Sequence, residues 1–310
     1  MSIFKIDNGK LKSIAELKFD LEKDLQKITE NNLEEIFRLQ FVSSEFQYNN
    51  LRIDTLAFDL DSNAFVIIEY KRDQGMSVID QGFAYLSILT NHPEVFILEY
   101  AKKKGVDVNK LKIDTTQSKV LFLANNFTIH QQNAINFKNV PIELWRVIKY
   151  DNNTISYNQI KSVNAREDIT GITKDKKIAE ISRKVKVYSV DDLFKDDWEK
   201  TKEIYELLRD RILELDGQIE ENPKKIFIGF RRGRNNVVCL WPKSNGVNIE
   251  LLRTKPELIK DPENKVKYYE KSMQYYNQHV SNLMVNDIAE VDYAMYVIKQ
   301  VYAKFADKYL

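Results

Sequence analysis

Arg52-Ile53-Asp54 and, after a turn, Glu69-Tyr70-Lys71-Arg72 carry the residue types that metal-assisted hydrolysis requires. Two carboxylates brought together would chelate one divalent cation, and an amine beside them would position or help activate a water. Both acids sit on segments of strand character, Leu51–Leu60 and Ala64–Tyr70, joined by the turn residues Asp61-Ser62-Asn63. Antiparallel pairing of these segments places Asp54 and Glu69 side by side at one end of a sheet. Side chains on a strand repeat every two residues, so Glu69 and Lys71 share a face. Three charges at the end of an apolar strand are costly unless something neutralises them, and a bound cation would do so. Oxygen donors favour Mg2+ or Mn2+; three scattered His and the single Cys239 do not make a zinc site. An exposed ion pair on an edge strand is the competing reading. Against it stands Val66-Ile67-Ile68, an apolar run that calls for cover on both faces.

The surrounding elements are those a buried strand pair needs. Leu21, Leu25, Ile28, Leu33, Ile36 and Phe37 recur at helical spacing, broken at Asn31-Asn32. Strands follow at 41–48, 51–60 and 64–70, then a helix over 77–90 with Ile79, Phe83, Leu86 and Leu89 on one side. Strands at 119–124 and 140–148 flank a helix at 129–137. The expected fold class is α/β or α+β: a mixed sheet flanked by helices over residues 1–150. Residues 2–18 allow a strand pair or a helix.

An Asp on one strand, Glu-x-Lys on the next, and then a helix opening with Gln81-x-x-x-Tyr85 resembles the PD-(D/E)XK nuclease superfamily and its restriction-endonuclease-like core. Within that superfamily, Arg52-x-Asp54 ahead of the hairpin is similar to the RecB-like and NucS-like branch. The resemblance spans residues 20–90. It implies that Asp54 and Glu69 are metal ligands, that the Tyr70 carbonyl also coordinates, and that Lys71 serves the attacking water. Gln81 and Tyr85 would contact phosphate or orient the site. Family members often add a carboxylate from the first helix, for which Glu22 is the best match, with Glu30, Glu34, Glu35 and Glu45 as rivals. Ile53 stands where the family signature has proline, a position without a metal-binding role.

Residues 151–190 are polar and basic and read as a linker. A smaller α+β domain over 191–310 is expected beyond it. It comprises a helix from Trp198 to Leu215, strands at 226–231, 236–241 and 247–252, and helices at 265–282 and 287–308. Its layout resembles an uncharacterised C-terminal module appended to nuclease-like domains. Arg231, Arg232 and Arg234 cluster at one turn with Trp241 on the next strand, which suits nucleic acid or a solvated hairpin tip alike. Arg52 and Arg72, flanking the acids, suit phosphate or solvent in the same way.

The 310 residues carry 43% hydrophobic and 30% charged side chains and a formal net charge of +1. Binding to DNA, or to RNA as the lesser alternative, must therefore come from local patches rather than a global field. One Cys suits a reducing compartment, and no apolar run is long enough to cross a bilayer, so a cytoplasmic protein without a membrane partner is expected. The expected activity is that of a Mg2+-dependent endonuclease, and a homodimer would suit paired cuts on two strands. The alternatives are a nucleic-acid-binding module without turnover and a protein-interaction or transport-associated adaptor.

Overall fold

The computed structural model describes residues 2–19, 21–49, 51–71, 77–138, 140–161, 169 and 175–309, apart from the side chains of Tyr275 and Tyr309. The chain forms two compact units, Met1–Val187 and Tyr188–Leu310.

The first unit opens with a hairpin, β1 (Ile3–Asp7) and β2 (Lys10–Ile14), and a two-residue strand β3 (Glu16–Leu17). Helices α1 (Glu22–Asn31) and α2 (Leu33–Phe37) precede an antiparallel meander of β4 (Gln40–Tyr48), β5 (Leu51–Asp59) and β6 (Ala64–Lys71). Helices α3 (Val78–Asn91) and α4 (Pro93–Lys104) then lead to β7 (Lys119–Ala124), α5 (Ile129–Ala134), β8 (Ile142–Tyr150), β9 (Ile155–Ile160) and α6 (Lys176–Lys184). The sheet runs β3-β8-β7-β6-β5-β4, with β9 also paired to β8. β6, β7 and β8 are parallel to one another. The expected mixed sheet flanked by helices is what forms.

β6 explains why both faces need cover. Phe65 and Ile67 join Phe83, Leu86, Leu89 and Phe122 in the core under α3. Val66, Ile68 and Tyr70 join Leu25, Leu33, Leu121 and Leu123 under α1. A strand buried on both sides reads as a continuous apolar run, and its one buried acid, Glu69, falls by alternation on the α3 face.

Several expectations are corrected. Residues 151–190 are not only a tether: β9 extends the sheet, and α6 buries Ile178 and Ile181 in the α3-side core together with Val185. The basic residues there decorate the outer side of an amphipathic helix, which composition alone makes look like a linker. Helix α4 was not foreseen. Pro93 starts it, Gly105 at φ 64° ends it, and it buries only Phe96, Tyr100 and Ala101, a weak helical stripe.

The second unit is α+β, as expected. Helix α7 (Glu199–Leu213) precedes β10 (Ile219–Pro223), β11 (Ile228–Arg232), β12 (Asn235–Lys243) and β13 (Gly246–Leu252). Where a helix is expected over 265–282 there are instead β14 (Lys267–Tyr268), a single turn α8 (Ser272–Tyr276) and β15 (Val280–Val285). Asn277 takes the left-handed conformation and stops α8 after five residues, and Val280, Leu283 and Val285 then serve a strand inserted between β13 and β14. Helix α9 (Val291–Tyr309) packs with α7 on one face of the six-stranded sheet.

Candidate functional site

The two acids meet where the strand ladder gives out. The β5–β6 register runs from Asp59↔Ala64 to Thr55↔Ile68. On the other edge of β5 the register passes from Ser44↔Thr55 to Phe46↔Ile53, and Glu45, between them, is held at φ 53°. At Asp54, side chains take over the main-chain hydrogen bonds. Asp54 N–H donates to Glu69 Oε1 at 3.1 Å, and Tyr70 N–H donates to Asp54 Oδ2 at 3.1 Å.

Helix α3 supplies the rest of the cradle. Gln81 Nε2 donates to Glu69 Oε2 at 3.1 Å and to Tyr85 Oη at 2.8 Å, and the Tyr85 hydroxyl donates to the Arg52 carbonyl at 3.1 Å. Gln81 and Tyr85, one turn apart, therefore clasp Glu69 and the strand before Asp54. Lys71 Nζ lies 3.9 Å from Glu69 Oε2 and 6.0 Å from the Phe122 ring centroid, and its side chain is 17% exposed. The sequence pattern Asp54, Glu69, Lys71, Gln81, Tyr85 is thus one contiguous group in space.

Its electrostatics are those of an acid pair taken out of water. Burial pushes the Asp54 carboxyl above its ordinary range, against the Tyr70 N–H that lowers it. Burial, and then the Asp54 charge, pushes Glu69 up to about 7. Lys71 lowers both, but as a smaller influence than burial. Burial likewise raises the Tyr85 phenol, which stays protonated as a hydrogen-bond donor.

This donor set fits a small hard cation. The two carboxylates are destabilised as anions, and Gln81 Oε1 is buried without a hydrogen-bond partner among the described residues. No three His, Cys, Asp or Glu side chains form a metal-binding group among the described residues. Mg2+ is commonly held by one or two carboxylates with waters completing its shell, so Asp54 and Glu69 suffice in kind.

The remaining expected residues fall as follows. Tyr70 directs its side chain away from Glu69, into the α1 face beside Thr55. Glu22 is exposed on the first turn of α1. Among its rivals, the Glu45 charge raises the Asp54 carboxyl, and Glu45 is ion-paired with Arg52. Arg52 is half exposed beside the acids. Arg72 lies outside the described residues. In the second unit Arg231 pairs with Glu220 at 3.6 Å and Arg232 with Asp216 at 2.9 Å, while Arg234 is half-buried at the β11–β12 turn. Arg231 and Arg232 are therefore engaged by acids.

Sequence reasoning missed Gln26. It is buried on α1, and its Nε2 donates to the Asp54 carbonyl at 3.0 Å, to Glu30 Oε1 at 3.0 Å and to Ser44 Oγ at 3.1 Å. Its only signal in the sequence is its place one helical turn from both Glu22 and Glu30.

Among the described residues no helix is long and apolar enough to cross a membrane. A family described as a domain of unknown function, DUF5655, matches residues 190–303. Among solved structures the chain is similar to Pyrococcus furiosus SfsA in complex with Ca2+, at 15% identity over 51% of this chain and 74% of that one. The TM-score of 0.25 is too low to equate the folds. An uncharacterized protein of Haemophilus influenzae is 41% identical over 236 residues, spanning 76% of this chain and 78% of that protein. With that identity over most of both chains, the protein belongs to the same family as the Haemophilus influenzae protein.

Proposed function

We propose that the chain is a metal-dependent nuclease of the PD-(D/E)XK type that hydrolyses phosphodiester bonds of DNA. The observation that carries the reading is the interlocked pair of half-buried Asp54 on β5 and buried Glu69 near the end of β6, with the Lys71 amine 3.9 Å from Glu69 Oε2. Burying two acids together destabilises the fold, and that cost is offset when a cation sits between them.

Asp54 and Glu69 would hold Mg2+ or Mn2+, which when bound supplies Lewis acidity toward a phosphoryl oxygen and a water of lowered pKa. Lys71 shares the α3 face with Glu69 and is partly exposed, so it orients the attacking water and meets the charge that builds on phosphate. Gln81 fixes the Glu69 carboxylate. The Tyr85 hydroxyl donates to the Arg52 carbonyl, so Tyr85 acts as a positioning residue rather than a phosphate contact. Arg52, half exposed and beside the acids, is the described cation best placed to meet a backbone phosphate.

The test is direct. Supercoiled plasmid, single-stranded DNA and RNA are incubated with Mg2+ or Mn2+ and the wild type, Asp54→Ala or Lys71→Ala. Metal-dependent cleavage of DNA that disappears in both variants is the expected result. Salt-sensitive binding without cleavage would replace the nuclease by a silent binding module, and neither binding nor cleavage would discard both.

A further inference from the structure

Asp54 is the one acid of the pair whose own main chain is held by a helix. Its N–H is bonded to Glu69 Oε1, and its carbonyl accepts from Gln26 Nε2 at 3.0 Å. This occurs where the registers on both edges of β5 leave Asp54 without a strand partner. Gln26 is itself fixed. The same Nε2 reaches Glu30 Oε1 at 3.0 Å, and Glu30 Oε1 accepts from the Thr55 hydroxyl at 2.6 Å. Thr55 Oγ1 lies 3.2 Å from the Tyr70 hydroxyl, and both residues are buried. A continuous polar chain thus runs from α1 to the residues adjoining each acid, Thr55 after Asp54 and Tyr70 after Glu69. An amide group confined in this way holds a peptide unit in one orientation, and turning the Asp54 peptide would turn its carboxylate with it.

We infer that Gln26 is a positioning residue that fixes the Asp54 carboxylate against Glu69, making α1 a working part of the site. The role rests on the nuclease reading for its catalytic consequence but not for its structural one. A hydrophobic side chain of similar length at position 26 preserves the packing of α1 while removing the only side-chain donor on the Asp54 carbonyl among the described residues.

Gln26→Leu and Gln26→Glu are compared with wild type by amide hydrogen exchange and by steady-state cleavage. The Asp54 and Tyr70 amides, bonded to Glu69 Oε1 and Asp54 Oδ2, are expected to exchange about tenfold faster in both variants. The Ile67 and Ile68 amides in the middle of β6 should keep their protection, apart from any uniform shift that follows the global stability. In the cleavage assay kcat is expected to fall about 10- to 100-fold with KM nearly constant, as for partners that orient metal ligands. Unchanged exchange at Asp54 and Tyr70 would overturn the inference whether or not the protein cuts DNA. General loss of protection across β6 would also overturn it, since Gln26 would then be holding the fold and not Asp54. If wild type shows no metal-dependent cleavage the nuclease reading falls, while the exchange result still decides the role of Gln26.

Discussion

Asp54 and Glu69 hold one another through main chain and side chain at once: the Asp54 amide donates to Glu69 Oε1, and the amide that follows Glu69 donates to Asp54 Oδ2. Each acid therefore shapes the backbone that presents the other. The two form a clamp beyond the last paired position of the β5–β6 ladder, Thr55↔Ile68, and the proposed function would draw on that pre-organisation.

Glu69 makes the protein's stability depend on pH. Its folded-state pKa is raised to about 7, so between the unfolded carboxylate range and about pH 7 the folded state holds the extra proton. The Glu69 contribution to stability is then fully present below the unfolded carboxylate range and falls as pH rises through that window, by on the order of 1–3 kcal/mol. In Glu69→Gln this slope should flatten. Melting temperatures between pH 5 and 8 check it, and equal slopes in the two proteins would refute it. Mg2+ should raise the melting temperature of the wild type at pH 8 more than that of the variant.

Tyr85→Phe should leave the Arg52 carbonyl without its donor and Gln81 without one acceptor. The expected cost is about 1–2 kcal/mol of stability, read by denaturant unfolding. Activity should fall less than in Lys71→Ala, because the Tyr85 hydroxyl already serves the fold. A loss equal to that in Lys71→Ala would return Tyr85 to the phosphate.

Gly82 lets α3 lie close to the sheet. An added Cβ there would come 2.5 Å from Ile142 Cδ1 and 3.0 Å from Ile142 Cγ1. Gly82→Ala should therefore destabilise by about 1–3 kcal/mol through overpacking, and adding Ile142→Val should recover part of the loss. Since Gln81 precedes Gly82, cleavage should drop alongside stability. Thermal unfolding of the single and double variants decides, and no recovery in the double variant would place the clash elsewhere.

Arg232 is expected to act in structure and not in binding. Its Nε reaches Asp216 Oδ2 at 2.9 Å, and the Tyr302 hydroxyl donates to the same oxygen at 3.0 Å. The Arg232 guanidinium holds Asp216 below the usual carboxylate range, so the contribution is present near neutral pH and is lost as pH falls through the Asp216 folded pKa. Arg232→Ala should lower the melting temperature at pH 7 and leave DNA affinity and its salt slope unchanged. A salt slope reduced by about 1 would instead mark a phosphate contact.

The first unit was legible because its strands announce themselves. Val66-Ile67-Ile68 marks β6, the short turns set the meander, and period-two alternation puts Glu69 and Lys71 on one face. Gln81 and Tyr85 were readable from spacing once that strand was known. Gln26 was not, because a buried glutamine on a helix looks like any polar surface residue until its bond to the Asp54 carbonyl on the strand beneath it is seen. The second unit hid β15 behind a run of tyrosines whose spacing mimics a helix. Tertiary pairing with β13 decided in favour of strand there.

The reciprocal bonds between Asp54 and Glu69 have an evolutionary corollary. Neither position should drift alone, since replacing one acid removes a bond to the peptide that carries the other. A lineage that gives up this acid pair should therefore change both positions, and Gln26 with them, nearly in step. Sequences retaining one acid without its counterpart should be short-lived intermediates, scarce among descendants of this fold.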